Sequence, residues 1–264
     1  MQLEVITREP ESDAHNTPVL FVHGMWHAAW CWSENFLPYF AQHGYKSYAM
    51  SLRGHGASDG REKLRWTPLA DFVADVAQVV DQLENPPILV GHSMGGMIIQ
   101  KYLETLQAPA AVMLGSAPPK GLLPTTLRIA RRHPLNFLKA NLTFNLNHNI
   151  NKPELYKEAL FSSKIDDKDL TKYFNIVRFQ GESMRAYIDM IFLNLPQPKK
   201  VNTPILVLGA TDDNLISSSD VRATAKAYNT QAEFFPIMGH AMMLDIGWQS
   251  VADQILNWLK EQGL

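Results

Sequence analysis

A single cysteine, Cys31, stands among 264 residues and has nothing to pair with. That excludes a disulfide framework and any zinc site built from several thiolates. No apolar run reaches 18 residues, so no segment reads as a membrane-spanning helix. Charge is also scarce. Only 19% of residues are charged and the formal net charge is −2, unlike the strongly basic balance of a typical nucleic-acid-binding domain. The first nine residues, Met1 to Glu9, lack the basic start and apolar centre of a secretory signal, so a cytoplasmic location is expected. What the chain has in quantity is apolar content, 46%, too much for a disordered protein. At this length it buries about three quarters of its unfolded surface and needs neither disulfide nor metal to fold.

The small net charge conceals two unlike regions. Residues 120–200 carry 14 Lys and Arg against 7 Asp and Glu, a balance of +7, and the remainder carries −9. Outside that middle block, short apolar runs alternate with amphipathic stretches. Strands are predicted at Val19–Val22, Ser47–Met50, Ile88–Val90, Ala111–Leu114, Ile205–Leu208 and 232–237. Between them lie predicted helices near 36–41, 71–83, 95–106, 218–228 and 248–260, the second with Phe72, Val76 and Val79 on one face. Continuously apolar strands alternating with helices mean a mostly parallel sheet covered on both faces. From Gly121 to Pro198 the rhythm breaks. Four helical stretches (122–132, 154–161, 167–177 and 182–195) occur with no strand candidate. The expected organisation is a core of residues 1–120 and 199–264, interrupted by a helical insertion of residues 121–198.

Gly91-His92-Ser93-Met94-Gly95 is a G-x-S-x-G pentapeptide directly after a strand and before a helix. In that setting the serine sits on a strained turn that lifts its hydroxyl clear of the sheet, and the flanking glycines remove clashes. The helix N-terminus behind it favours developing negative charge. A serine nucleophile needs a base, and the base an orienting acid; in sheet enzymes with this elbow the chain order is serine, acid, histidine. Of nine histidines only His240, after the last predicted strand, suits that order. His92 is expected to face away from the nucleophile as a structural residue. His43, His133 and His148 read as surface groups, and His27 and His55 as candidates for the pocket mouth. The acid should follow Ile205–Leu208, where Asp212 and Asp213 both stand. Each has an apolar residue three positions on, Leu215 and Ile216 respectively, so spacing does not separate them. Asp213 is preferred and Asp212 is the alternative. The oxyanion donors expected are the backbone N–H of Met94, after the nucleophile, and of Met25, in the loop after the first central strand. Trp26 is expected to contact substrate. Cys31 lies in no such elbow and is no rival nucleophile.

His23-Gly24, Arg53-Gly54-His55-Gly56-Ala57-Ser58, Gly91-His92-Ser93-Met94-Gly95-Gly96 and Gly239-His240, in this order, resemble the successive signatures of the α/β-hydrolase superfamily. The second and third most resemble monoacylglycerol lipases and lysophospholipase-like esterases. The resemblance implies an α/β-hydrolase fold in which 121–198 is a helical cap over the pocket. It also favours Asp213, through the family's D-x-x-V/I pattern. His23-Gly24-Met25-Trp26-His27-Ala28-Ala29-Trp30-Cys31-Trp32 resembles the plant methylesterase and hydroxynitrile lyase branch instead, from which the R-G-H-G stretch departs.

Together these features lead to the expectation of a cofactor-independent, metal-free serine hydrolase cleaving a small, lipid-like carboxylic ester. The same residues also suit C–C bond hydrolysis, cyanohydrin cleavage, perhydrolysis or a non-catalytic receptor. A lyase would want a pocket cation, and no lysine lies in these loops. Arg128, Arg131 and Arg132 read first as a solvated helix face, with an anionic head group or an anionic membrane surface as the alternative they could meet.

Overall fold

The computed structural model describes residues 1–11 and 14–264. Seven strands form one sheet: β1 (Val5–Arg8), β2 (Val19–Val22), β3 (Ser47–Met50), β4 (Ile88–His92), β5 (Ala111–Leu114), β6 (Ile205–Ala210) and β7 (Ala232–Phe235). Their spatial order is β1-β3-β2-β4-β5-β6-β7, with β1 antiparallel to β3 and every other pairing parallel. The interior strands β2, β4, β5 and β6 are buried at every residue, which is why they read as unbroken apolar runs rather than alternating ones.

Helices α1 (Trp30–Ser33) and α2 (Phe36–Gln42) link β2 to β3, and α3 (Leu69–Val80) links β3 to β4. The first crossover steps toward the β1 edge and the second back past β2. Right-handed connections therefore put α2 and α3 on opposite faces of the sheet. On one face Phe36 and Phe40 pack their rings on Phe21. On the other, Phe72, Val76 and Val79 of α3 are buried. α4 (Met94–Tyr102) follows β4, α10 (Ser218–Ala227) follows β6, and α11 (Trp248–Glu261) closes the chain with Val251, Ile255 and Leu259 inside. The chain order reverses between β2 and β4, so a crevice opens beyond their C-terminal ends, where open α/β sheets bind ligands.

Between β5 and β6 the chain is wholly helical: α5 (Leu123–Arg132), α6 (Pro134–Leu142), α7 (Pro153–Leu160), α8 (Asp167–Val177) and α9 (Met184–Ile188), which runs into a π-turn over Asp189–Leu193. Several elements differ from the sequence expectation, α1 among them, which has no predicted counterpart. The half-exposed edge strand β1 is too short to show a period. α6 starts on Pro134, a residue that suits a first helical position as well as it breaks an interior one. The expected helix 182–195 is helical from Met184 to Leu193 but changes from α to π at Asp189, whose buried carboxylate accepts the Leu69 N–H that opens α3, at 3.0 Å. Among the described residues no helix is long and apolar enough to cross a membrane.

Candidate active site

Ser93 is the turn between β4 and α4, at φ 54 and ψ −116, a conformation that costs a non-glycine residue about 1–3 kcal/mol. The turn is held shut from two sides: the Ser93 N–H donates to the Leu114 carbonyl and its own carbonyl accepts from Ala117 N–H, both at 3.1 Å. Room for it depends on missing side chains. A Cβ at Gly91 would stand 2.6 Å from the Gly95 carbonyl, and one at Gly95 would stand 2.3 Å from that of Val22.

His240 Nδ1–H donates to Asp213 Oδ2 at 2.7 Å, and both side chains are almost fully buried. The other Asp213 oxygen accepts the N–H groups of Leu215 and Ile216, at 2.7 and 2.8 Å. A carboxylate so held keeps its orientation and selects the imidazole tautomer whose free lone pair is on Nε2. Asp212 is exposed, and among the described residues its side chain accepts only from the Thr211 hydroxyl. Geometry thus separates two residues whose spacing does not. Ser93 and His240 face the same cavity without a direct hydrogen bond, a looseness usual in unliganded sites of this kind.

The loop after β2 approaches the nucleophile so closely that a Cβ on Gly24 would lie 2.7 Å from Ser93 Cβ. His23 anchors this loop, as expected for a residue that does not react: its Nδ1–H donates to the Gly24 carbonyl at 2.7 Å and its Nε2 accepts the Leu52 N–H at 3.0 Å. The N–H groups of Met25 and Met94 have no acceptor among the described residues. Two unpaired donors beside one serine are the requirement for holding an oxyanion.

Three further histidine positions correct the sequence expectation. His27 and His55 are fully buried beneath the loops rather than at the pocket mouth, because each ring donates back to nearby backbone. His92 does not face away. Its ring packs 4.6 Å from that of His240, and Nε2–H donates to the His240 carbonyl at 2.8 Å. Burial pushes the imidazoles of His23 and His92 well below their ordinary pKa and that of His27 down to about 3, with neighbouring histidines adding a smaller repulsion. These groups stay neutral in the fold and titrate near 6.5 when unfolded. Below pH 6.5 the unfolded chain therefore binds protons that the fold refuses. Stability should fall as pH drops below 6.5, by on the order of 1 kcal/mol per pH unit from His27 down toward pH 3, with His23 and His92 adding losses in the same direction, and be insensitive to them above pH 7. Urea unfolding at pH 5, 6 and 7 checks this; equal midpoints would contradict it.

The helices between β5 and β6 are tied to each of the three loops that meet at Ser93. The Glu182 carboxylate accepts the Trp26 N–H at 2.7 Å. Thr125 and Arg128 of α5 both donate to the Leu215 carbonyl, beside Asp213, at 3.0 and 2.8 Å. Asp245, fully buried, joins the Ser162 N–H to the Gly239 N–H beside His240, each at 2.7 Å, and also accepts from the Ser162 hydroxyl and Ile246 N–H. No sequence signal singles out Glu182 or Asp245, since each works through main chain brought near only by folding. Asp245→Ala leaves four donors buried without their charged acceptor. It should lower the unfolding free energy by about 3 kcal/mol, measured by urea titration. A loss under about 1 kcal/mol would show that the donors find other acceptors.

The arginine cluster is largely engaged within the protein. Arg128 pairs with Asp220 at 3.0 Å, and Arg132 with Glu158 at 2.7 Å and the Asn214 side chain at 2.8 Å. Two of the three charges are thus matched inside the protein, and only Arg131 stands free of a partner among the described residues.

A cavity of about 250 Å³ lies over Ser93, Met25 and Trp26. Its walls are apolar, from Ile129, Leu146, Ile150 and Leu155, and its rim carries Arg132, His133, Glu158 and Asn214. His133, expected at the surface, belongs to that rim, held at 3.2 Å from Glu158. Trp26 is among the residues that line the cavity.

A model of the Alpha/beta hydrolase family matches residues 19–254. The non-heme chloroperoxidase of Streptomyces lividans is 33% identical over 106 residues, 39% of this chain and 37% of that protein. Esterase PIR7B of Oryza sativa subsp. japonica is 32% identical over 108 residues, 38% of each chain. The chain thus matches less than half the length of these two relatives. Among solved structures, the monoacylglycerol lipase of Paleococcus ferrophilus has a TM-score of 0.75 at 20% identity, covering 99% of this chain and 100% of that one, a likeness of fold.

Proposed function

The chain belongs to the alpha/beta hydrolase family, and from that premise we propose that it is a serine esterase working through an acyl-enzyme. The observation that carries this reading is the 2.7 Å bond from His240 to Asp213 beside a strained Ser93, all facing a cavity with two unpaired backbone N–H groups. In the proposed cycle Ser93 Oγ attacks the ester carbonyl while His240 Nε2 takes its proton. Asp213 holds the imidazolium, and the N–H groups of Met25 and Met94 receive the oxyanion. The alcohol leaves with the proton from His240. Water then attacks the acyl group by the same route and frees Ser93. The helical block 121–198 acts as a cap whose apolar walls select an ester with an apolar acyl or alkoxy group.

A fluorophosphonate probe should label the protein stoichiometrically, with the adduct mapped by mass spectrometry to Ser93. A panel of p-nitrophenyl esters should be hydrolysed with a preference for apolar acyl groups longer than acetate. No labelling would overturn the reading. The chloroperoxidase relative favours a second outcome for the same intermediate, in which hydrogen peroxide replaces water and the acyl group leaves as a peracid. Peracid formation from the same ester in the presence of peroxide would measure that partition.

A transient lipid contact also suits the cap, through leucines rather than the paired arginines. Leu135, Leu138 and Leu142 form a stripe along α6 at 80%, 55% and 71% exposure. Nearby, Arg131, Lys139 and Lys152 have no acidic partner among the described residues, whereas Lys120, Arg128 and Arg132 are paired. Flotation should show binding to phosphatidylglycerol vesicles and not to phosphatidylcholine vesicles, reduced by Leu135→Ser with Leu142→Ser.

A further inference from the structure

Glu182 lies 156 residues from the oxyanion loop in sequence, yet its carboxylate is fully buried against it. Oε2 accepts the Trp26 N–H at 2.7 Å and stands 3.4 Å from His55 Nε2, while Oε1 accepts the Ser183 N–H at 2.7 Å. The carboxylate is itself held in place, because the Ser183 hydroxyl donates to the Thr67 carbonyl at 2.6 Å and accepts the Ala186 N–H at 3.0 Å. A buried carboxylate is costly unless its oxygens are occupied. Here one oxygen is given to the amide of Trp26, a residue held at φ 62 in the left-handed region. That conformation costs a bulky side chain about 1–3 kcal/mol and persists only where the surroundings impose it.

The consequence for Met25 follows from peptide planarity. In the peptide joining Met25 to Trp26, the N–H is fixed by Glu182 and the carbonyl by His27 Nδ1–H at 3.1 Å. In the peptide joining Gly24 to Met25, the carbonyl is fixed by His23 Nδ1–H at 2.7 Å, and the N–H is the unpaired donor. Both planes flanking the Met25 Cα are therefore clamped. Three of the four groups that set its N–H direction are tied down, and Glu182 is the single clamp supplied by the cap.

We infer that Glu182 is a positioning residue for the oxyanion hole, aiming the Met25 N–H by holding the Trp26 amide. The inference rests on the esterase reading above. The hydrogen bond does the positioning rather than the charge, so glutamine preserves the clamp in part: its single amide oxygen can accept the Trp26 N–H, but its NH2 group then faces the Ser183 N–H. Alanine removes the clamp and lets the Met25–Trp26 peptide rotate toward an ordinary conformation. Aspartate keeps the charge but withdraws the oxygen by one methylene.

The test compares the wild-type full chain with Glu182→Ala, Glu182→Asp and Glu182→Gln on one p-nitrophenyl ester and on two inhibitors. An aryl trifluoromethyl ketone takes up Ser93 Oγ at its carbonyl carbon, passing the serine proton to His240 and the carbonyl electron pair to an oxyanion. The matching secondary alcohol occupies the pocket without forming one. For Glu182→Ala, kcat should fall about 10- to 100-fold with KM changed less than about threefold, because a misaimed donor costs less than a deleted one. Affinity for the ketone should fall in step with kcat, and affinity for the alcohol should not move. Glu182→Gln should retain more activity than Glu182→Ala and fall between it and wild type, because it keeps one acceptor for two N–H groups. Glu182→Asp should show the same kcat-selective loss, and decides the matter if the alanine variant does not fold. Equal loss of ketone and alcohol affinity, equal impairment by glutamine and alanine, or an unchanged kcat would each overturn the inference. A wild-type protein that fluorophosphonate leaves unlabelled would instead overturn the esterase reading itself.

Discussion

Replacing Ser93 with alanine should lower ester turnover by about 10⁴-fold or more and abolish fluorophosphonate labelling, with the fold retained. Removing the hydroxyl leaves the His240–Asp213 pair and both unpaired N–H groups in place, so only the residual activity of a hole without a nucleophile remains. Stability provides a second readout. Ser93 is held at φ 54, where glycine is unstrained and other residues are not. Ser93→Gly should therefore be as inactive as Ser93→Ala but melt at a higher temperature. A difference of about 1 kcal/mol corresponds to a few degrees in a chain of this size. Turnover of the alanine variant within tenfold of wild type would remove Ser93 from the reaction. Equal melting of the two variants would mean that the elbow stores no strain.

Asp213→Asn should lower kcat by about 10⁴-fold, whereas Asp212→Asn should change it by less than about twofold. The amide is nearly isosteric with the carboxylate. In the native site Oδ1 accepts two backbone N–H groups, so the asparagine oxygen takes that position and its NH₂ turns toward His240 Nδ1. Nδ1 must then accept, the ring proton moves to Nε2, and the base can no longer receive the serine proton. Steady-state kinetics of the two variants with one ester separates them directly. Comparable losses would mean that the 2.7 Å bond to His240 is dispensable.

What was legible in the sequence was whatever local pattern determines. Four buried strands announce themselves because burial on both faces removes alternation. Ser93 is recognisable because the glycines two positions before and after it leave room for a strained strand-to-helix turn. His240 and the pair Asp212 and Asp213 are placed by order along the chain, since loops at the C-terminal ends of adjacent parallel strands converge. The choice between the two aspartates needed the direction in which each side chain leaves its turn. Other features arise only when distant segments meet. Glu182 and Asp245 bind main chain, so no partner residue type betrays them. Arg128 and Arg132 looked available because their acidic partners, Asp220 and Glu158, lie up to 92 positions away. α6 carries its leucines outward, against the rule by which apolar periodicity marks a buried face.

The three ties between the helical block and the loops around Ser93 bear on how such an insertion can be exchanged. A block that merely roofs a pocket is modular: another of different length and shape could replace it, altering substrate range and little else. Here the replacement would have to restore an acceptor for Trp26 N–H, donors for the Leu215 carbonyl and a partner for Asp245. Otherwise the reaction centre loosens along with the roof. Variation in the side chains of the apolar walls and the outward leucines carries no such constraint. A chimaera that keeps residues 125, 128, 162 and 182 while redrawing the walls has the best prospect of acquiring a new ester without losing its chemistry.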